Sequence, residues 1–220
     1  NFLPNPYNLA DMEKTTLRTA EAISQNEKVG IFGDYDVDGA SSTALLGNYF
    51  SELNLEYETY IPDRKKEGYG PTIKSFKELI NKKVKVIFTV DCGTLSFDAI
   101  NYANENRIDV IVLDHHQSEV KLPNAFSIVN PNRLDDKSNL QYLCAAGVSF
   151  MFLVSLNREL RNNNWFKQNN IKEPNLIDYL DLVSLGTVCD VVPLIGLNRA
   201  IVKQGLKVLK SKKKLRIKNF

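Results

Sequence analysis

Short apolar runs alternate along this chain with segments of helical periodicity, and this alternation limits the folds that the chain can adopt. The runs are rich in β-branched and aromatic residues, as buried strands are, and they occupy positions 29–32, 57–61, 84–90, 110–113 and 126–129. Helical patterns between them cover positions 41–53, 71–82 and 95–106, with Pro71 in the first turn of the second helix. The repetition predicts an α/β fold in which a parallel sheet carries helices on both faces.

The pattern changes after Asn130, where the sequence becomes mostly helical. Helices are expected at 145–161, 175–185 and 198–210, and the asparagine-rich positions 161–174 are expected to form a loop. With 220 residues, of which 43% are apolar, the chain can bury a sizeable core and has the size of one large or two small domains. We therefore expect a sheet domain with a helical C-terminal part.

Composition disfavours several classes of protein. No segment approaches the roughly 20 uninterrupted apolar residues of a membrane-spanning helix, and the N-terminal residues lack a secretory signal. A cytoplasmic protein with no membrane contact is therefore expected. The three cysteines, Cys92, Cys144 and Cys189, lie far apart without a CxxC pair, which disfavours both a disulfide framework and a structural zinc site.

Basic residues cluster in two places, although the net charge is only +2. One cluster is Arg64, Lys65 and Lys66, and the other covers positions 207–218. Such runs are usually solvated surface, and contact with phosphate is the alternative that the sequence leaves open.

Acidic residues follow three of the predicted strands. The first strand runs into Gly-Asp-Tyr-Asp-Val-Asp-Gly at 33–39, the third into Asp91, and the fourth into Asp114, His115 and His116. In open α/β sheets, ligands bind outside the carboxyl ends of the strands. Carboxylates gathered there would repel one another, and divalent cations would remove that penalty. Oxygen ligands suit Mg²⁺ or Mn²⁺, and an imidazole nitrogen favours Mn²⁺.

These residues have other interpretations besides a metal site. Asp36 and Asp38 lie in a glycine-flanked turn that lets two carboxylates reach one centre without helical geometry, but such a turn also caps helices. A calcium-binding EF-hand would need a later glycine and glutamate at fixed positions and flanking helices. The aspartates of the first turn would repel the pyrophosphate of a dinucleotide cofactor. His115 and His116, the two histidines of the chain, are either ordinary polar residues or a ligand and its catalytic partner.

Four stretches in the same order, 33–39, 90–93, 113–116 and 184–194, resemble the successive motifs of the DHH phosphoesterase superfamily. Further stretches are similar to its RecJ branch, at positions 60–64, 67–70, 128–132, 145–150 and 198–200. One departure is Cys189, where the family has a small residue such as alanine. The resemblance implies a DHH catalytic domain over 1–210, with 211–220 as a basic tail or the start of a linker to a second domain.

The resemblance also implies the roles of individual residues. Two Mn²⁺ or Mg²⁺ ions would be held by Asp36, Asp38, Asp91, His115 and Asp190. Asp91 would bridge the ions and take part in catalysis, and His116 would face the substrate phosphate as the second catalytic residue. Asp34 and Asp114 would lie behind the ligands and orient them, unless either is itself a direct ligand. Substrate would be bound by Arg64, as a phosphate clamp, and by Tyr69, which would stack on a base unless it merely packs.

The activity implied by the resemblance is a metal-dependent phosphodiesterase that removes nucleotides from single-stranded DNA in the 5′-to-3′ direction, in DNA repair and recombination. Single-stranded DNA is the expected partner, and helicases or single-strand-binding proteins are expected as partners of a longer protein. The alternatives are an oligoribonuclease or nucleotide phosphatase of another DHH branch, and an inactive replication scaffold. The scaffold is disfavoured because all the expected ligand residues are present.

Overall fold

One sheet of five strands organises residues 3–211, the part of the chain that the computed structural model describes. The strands are β1 (Val29–Gly33), β2 (Tyr57–Tyr60), β3 (Val86–Val90), β4 (Asp109–Leu113) and β5 (Ser127–Val129). All neighbouring strands are parallel, and their spatial order is β2-β1-β3-β4-β5. Val90 pairs with both Gly33 and Leu113, so β1, β3 and β4 end level with one another. The predicted parallel α/β sheet is confirmed.

Eight α-helices accompany the sheet within residues 3–211. They are α1 (Met12–Ser24), α2 (Val37–Glu52), α3 (Ile73–Asn81), α4 (Phe97–Glu105), α5 (Ala145–Asn162), α6 (Trp165–Gln168), α7 (Leu180–Cys189) and α8 (Gly196–Lys210). Helices α1, α2 and α5 cover one face of the sheet, where Ile31, Phe88 and Ile111 are buried. Helices α3 and α4 cover the other face, against Ile87 and Val112. The predictions of helices on both faces and of a helical C-terminal part are confirmed.

The sequence does not predict α1, because the buried face of this helix contains threonines where an apolar stripe would be expected. Thr15, Thr16 and Thr19 are all buried. The hydroxyl of Thr15 donates to Ser127 Oγ at 2.7 Å, and the hydroxyl of Thr16 lies 2.7 Å from Ser155 Oγ. These hydrogen bonds satisfy the buried hydroxyl groups, so the helix packs well without the usual apolar periodicity.

Helix α2 begins at Val37 and not at position 41. Asp38 therefore lies in the first helical turn, and the expectation that it reaches a common centre without helical geometry is wrong. The early start has a local cause, because the Asp36 carboxylate accepts a hydrogen bond from the Gly39 N–H at 2.9 Å and caps the helix.

Several other predicted boundaries also differ from the structure. Thr72 caps α3 through a reciprocal capping box with Ser75, which leaves Pro71 outside the helix. Strand β3 begins at Val86, the short helix α6 lies within the predicted loop at 161–174, and a 3-10 turn, Leu176–Tyr179, opens the helix predicted at 175–185.

The basic tail predicted at 211–220 lies, beyond Ser211, outside the described residues. Lysines 212, 213, 214 and 218 and Arg216 belong to that part. Among the described helices, none is both long enough and apolar enough to cross a membrane.

Candidate metal centre

The level ends of β1, β3 and β4 bring acidic and histidine side chains to one edge of the sheet. His115 Nε2 lies 3.2 Å from Asp91 Oδ1, 3.6 Å from Asp190 Oδ2 and 3.8 Å from Asp38 Oδ2. Ligand atoms of Asp34, Asp36 and Asp91 form a neighbouring group in which all separations are within 4.8 Å. Asp91 belongs to both sides of this arrangement, which is the position that a bridging ligand requires.

Asp38 is fixed by the start of α5. Its two carboxylate oxygens accept hydrogen bonds from the backbone N–H groups of Ala145, at 2.6 Å, and Ala146, at 2.9 Å. The first N–H groups of a helix have no partner inside the helix and attract anions, so this contact is favourable on both sides. Burial outweighs it and raises the pKa of Asp38 to about 6, with a further contribution from the negative charge of Asp190.

Asp91 has the strongest need of a positive partner. It is 1% exposed, adopts a left-handed backbone conformation with φ of 63°, and keeps both carboxylate oxygens without a hydrogen-bond partner in the described structure. Burial, followed by the charges of Asp38 and Asp36, raises the pKa of Asp91 far above its usual range.

The side chains at this edge fit divalent cations. Buried atoms without a hydrogen-bond partner among residues 3–211 include Asp91 Oδ1 and Oδ2, His115 Nε2 and Asp190 Oδ2, and these atoms converge. Buried polar atoms are normally satisfied, and an acidic cluster without counter-charge is costly. Carboxylate oxygens with one imidazole nitrogen form a ligand set suited to Mn²⁺ or Mg²⁺.

His116 has surroundings different from those of His115. Its side chain is 46% exposed, against 13% for His115, and its Nδ1 atom lies 2.8 Å from Asp114 Oδ1. This hydrogen bond raises the pKa of His116. Burial alone would raise the pKa of Asp114, but hydrogen bonds from His116 and Thr94 lower it to about 2. Asp114 therefore stays ionised and orients the His116 ring.

Asp190 reaches the centre from the end of α7, where it is the residue that follows the helix. Helix α7 packs closely against Asp38 and α5 because Gly186 has no side chain. A Cβ atom at Gly186 would lie 2.5 Å from Asp38 Oδ1 and 2.8 Å from Ala146 Cβ. Burial raises the pKa of Asp190. Cys189, the departure from the family pattern, is exposed.

Asp34, Arg64 and Tyr69 have different relationships to the centre. Asp34 is buried, and its Oδ1 atom has no hydrogen-bond partner within the described residues, so it is available as a ligand as well as an orienting group. The Arg64 guanidinium lies over the Tyr35 ring, 5.1 Å from its centroid. The Tyr69 hydroxyl lies 3.2 Å from the Asp91 carbonyl oxygen and 3.2 Å from His116 Nδ1, which puts it at the edge of the centre.

A cleft of about 1160 Å³ opens beside the two histidines. Its walls include Tyr69, Leu95, Asp114 and His116. Ligand pockets commonly have volumes of about 300–1,000 Å³, so the cleft has room for a nucleotide next to the acidic edge.

Sequence reasoning assigned no role to three buried or half-buried polar residues at this edge, Thr94, Asn130 and Asn132. Thr94 donates two hydrogen bonds to Asp114 Oδ2, from its N–H at 3.1 Å and its hydroxyl at 2.6 Å. The asparagines belong to the stretch 128–132, which resembles the RecJ branch. That resemblance assigns no role to either residue.

The chain is similar to known proteins over most of its length. The model of the DHH family, N-terminal domain, matches residues 28–187. The single-stranded-DNA-specific exonuclease RecJ of Dickeya dadantii is 37% identical over 194 residues, which cover 88% of this chain and 34% of that protein. The RecJ protein of Bacillus subtilis is 34% identical over 216 residues, covering 98% of this chain and 26% of that protein.

A solved structure shows the same fold. The crystal structure of exonuclease RecJ bound to manganese superposes with a TM-score of 0.76 and 32% identity, over 90% of this chain and 48% of that one. The chain thus spans about a third or less of the length of the two curated relatives.

Proposed function

The chain belongs to the DHH family, and from this premise we propose that it is a metal-dependent phosphodiesterase that removes nucleotides from the 5′ ends of single-stranded DNA in repair and recombination. The observation that carries the proposal is the convergence of buried, unpartnered atoms of Asp91, His115 and Asp190 at the ends of adjacent elements. Such a cluster is stabilised by a cationic partner, and phosphoester hydrolysis is chemistry that two divalent cations support.

Two cations would be held by a set of four carboxylates and one imidazole, namely Asp36, Asp38, Asp91, His115 and Asp190. Asp91 would contribute to both cations, and Asp34 is the alternative partner on the Asp36 side. When bound, Mn²⁺ or Mg²⁺ would supply Lewis-acid stabilisation of phosphoryl oxygens and acidify water at neutral pH.

The remaining residues act on the substrate. His116, held through Nδ1 by the ionised Asp114, presents its exposed ring to the cleft and would donate a proton or a hydrogen bond to an oxygen of the phosphodiester. The Tyr69 ring, 54% exposed, is available to a base, while its hydroxyl steadies the His116 ring. Arg64 would bind a backbone phosphate, because its guanidinium can donate two hydrogen bonds to phosphate oxygens.

The preference for single-stranded DNA rests on the RecJ relatives, which are named for single-stranded-DNA-specific exonuclease activity. The 5′-to-3′ direction is proposed from the resemblance of the sequence motifs to the RecJ branch. Helicase or single-strand-binding partners and a cytoplasmic location are parts of the same proposal. From the resemblance to the DHH family we also propose that residues 1–210 form the catalytic domain and that 211–220 form a basic tail or a linker.

The test measures Mn²⁺-dependent release of nucleotides from long single-stranded DNA labelled at either end. The unsubstituted chain should release label from the 5′ end, and Asp91→Ala should remove the activity while the circular dichroism spectrum is unchanged. Asp178→Ala, at an exposed carboxylate in a 3-10 turn, is the matched control and should keep the activity. Wild-type activity in Asp91→Ala would overturn the two-metal assignment.

The same assay separates the alternatives. An oligoribonuclease or nucleotide phosphatase would prefer RNA of a few nucleotides to long single-stranded DNA, and that preference would replace the present proposal. A scaffold would bind DNA but release no nucleotide with any divalent cation.

A further inference from the structure

His115 and His116 follow β4, and within residues 3–211 their backbone groups have no backbone hydrogen-bond partner. The hydrogen bonds of their backbone groups come from side chains instead. The N–H groups of His115 and His116 both donate to Asp114 Oδ1, at 2.7 and 3.2 Å. The carbonyl oxygen of His116 accepts from Asn130 Nδ2 at 2.9 Å, and that of His115 accepts from Asn132 Nδ2 at 2.5 Å. All four backbone groups of the dipeptide are thus held by three side chains.

Strand β5 places Asn130 within hydrogen-bond distance of the His116 carbonyl oxygen. Asn130 follows the last residue of that strand, is 0% exposed, and uses both amide hydrogens, since Nδ2 also donates to Thr94 Oγ1 at 2.9 Å. The Thr94 hydroxyl in turn donates to Asp114 Oδ2. Asn130 therefore joins the His116 carbonyl to the carboxylate that orients the His116 ring.

Asn132 is held in the same loop by a second set of bonds. Its backbone N–H donates to Asn130 Oδ1 at 2.8 Å, and its carbonyl oxygen accepts from the Ser118 hydroxyl at 3.0 Å. The next residue, Arg133, pairs with Asp11 at 2.7 Å and anchors the loop to the start of α1. The Asn132 amide is thus a fixed donor aimed at His115.

The asparagine amide suits this contact. A carbonyl oxygen needs a donor, and the Asn side chain offers an N–H donor where an ionised Asp offers only acceptors. Each asparagine also serves a different histidine, because Asn132 contacts His115 and Asn130 contacts His116.

We propose that Asn130 and Asn132 are positioning residues, which set the directions of the two imidazole rings by holding the backbone carbonyls of His116 and His115. The inference rests on the proposed function, because it gives His115 to the cations and His116 to the substrate. Loss of Asn132 then weakens cation binding, whereas loss of the Asn130 contact slows hydrolysis at saturating cation. Residues behind metal ligands typically change metal affinity about 10- to 100-fold when they are removed.

The principal test is Mn²⁺ binding to Asn132→Ala by isothermal titration calorimetry. We expect the affinity to fall at least about tenfold. The matched control is Asn157→Ala, since Asn157 Nδ2 likewise donates to a backbone carbonyl, that of Pro174 at 3.1 Å, but inside the helical part. Asn157 is buried, whereas Asn132 is half-buried, so the control is at least as disruptive to packing. The control should lose thermal stability and keep its Mn²⁺ affinity. Unchanged affinity in Asn132→Ala would overturn the inference for His115.

A second variant tests Asn130, whose full burial makes Asn130→Ala prone to misfolding. Asn130→Ser is smaller and keeps a hydroxyl donor that does not reach both acceptors. Because Asn130 Oδ1 also accepts a hydrogen bond from the Asn132 N–H, some fall in Mn²⁺ affinity is expected, but kcat at saturating Mn²⁺ should fall by a larger factor. A fall in affinity equal to or larger than the fall in kcat would overturn the division of roles. Absence of Mn²⁺ binding by the unsubstituted chain would overturn the proposed function itself, and this inference with it.

Discussion

His115 Nε2 and Asp91 Oδ1 lie 3.2 Å apart, both buried, and neither has a hydrogen-bond partner in the described part of the chain. The pairing of Val90 with Leu113 places the residues that follow β3 and β4 side by side, so the register of the sheet sets this approach. Two unsatisfied polar atoms facing each other in a buried site indicate a position that a cation completes.

Binding of Mn²⁺ should therefore stabilise the folded chain. A cation at one hundred times its Kd adds about 2.7 kcal/mol to the free energy of unfolding, which corresponds to about 5–11 °C in Tm for a chain of this size. Asp91→Asn should remove this shift and raise the Tm measured in EDTA, because folding then no longer requires a buried carboxyl to take up a proton. Scanning calorimetry with and without Mn²⁺ checks both effects. A Tm of Asp91→Asn in EDTA below that of the unsubstituted chain would contradict the argument.

Without divalent cations, stability should fall as the pH rises between about pH 5 and 8. Burial raises the pKa values of Asp38, to about 6, and of Asp91, so both carboxyls bind protons more tightly in the folded chain than in the unfolded chain. Their contribution is present below the unfolded pKa of about 3.9 and is lost as pH rises through the folded value. The raised pKa of His116 acts in the same direction, whereas Asp114, with its pKa lowered to about 2, contributes in full above pH of about 4.

Urea denaturation in EDTA across this pH range measures the effect. Asp91→Asn should show a smaller loss of stability than the unsubstituted chain, because one of the responsible carboxyls is gone. Stability that rose with pH would mean that these carboxylates ionise freely in the folded chain.

The sequence predicted the sheet and the meeting of its acidic strand ends for a shared physical reason. Parallel strands end at one edge, so residues such as Asp91 and Asp114 are brought together by topology alone. The hydrogen bonds from Asn130 and Asn132 to the histidine carbonyls could not be predicted in this way, because they depend on the path of the loop after β5. Helix α1 could not be predicted because its buried threonines show no apolar periodicity. The left-handed backbone of Asp91 could not be predicted either, because few aspartates adopt it and the sequence does not mark those that do.

Gly186→Ala should weaken cation binding from outside the set of ligands. The added methyl group would lie 2.5 Å from Asp38 Oδ1 and 2.8 Å from Ala146 Cβ, so it would displace the carboxylate or push α7 away from α5. We expect a loss of about 1–3 kcal/mol in the free energy of unfolding, together with a lower Mn²⁺ affinity. Gly30→Ala is the control, because its added methyl group would meet its nearest neighbour, Leu79 Cδ1, at an ordinary 3.4 Å. Equal Mn²⁺ affinities in the two variants would refute the steric argument.

Alanine substitutions at the two histidines should have different effects, one on Mn²⁺ binding and the other on the rate of hydrolysis. His115 lies within 4 Å of three carboxylates, so His115→Ala should abolish tight Mn²⁺ binding. His116 instead binds Asp114 through Nδ1, and its ring borders the cleft, so His116→Ala should keep Mn²⁺ affinity while hydrolysis slows by about 10²–10⁴-fold. Isothermal titration calorimetry measures the Mn²⁺ affinity, and single-turnover kinetics measure the rate of hydrolysis independently. His116 also forms a potential ligand group with Asp91 and His115, so a loss of Mn²⁺ affinity as large as that in His115→Ala would make His116 a metal ligand and remove it from the substrate side.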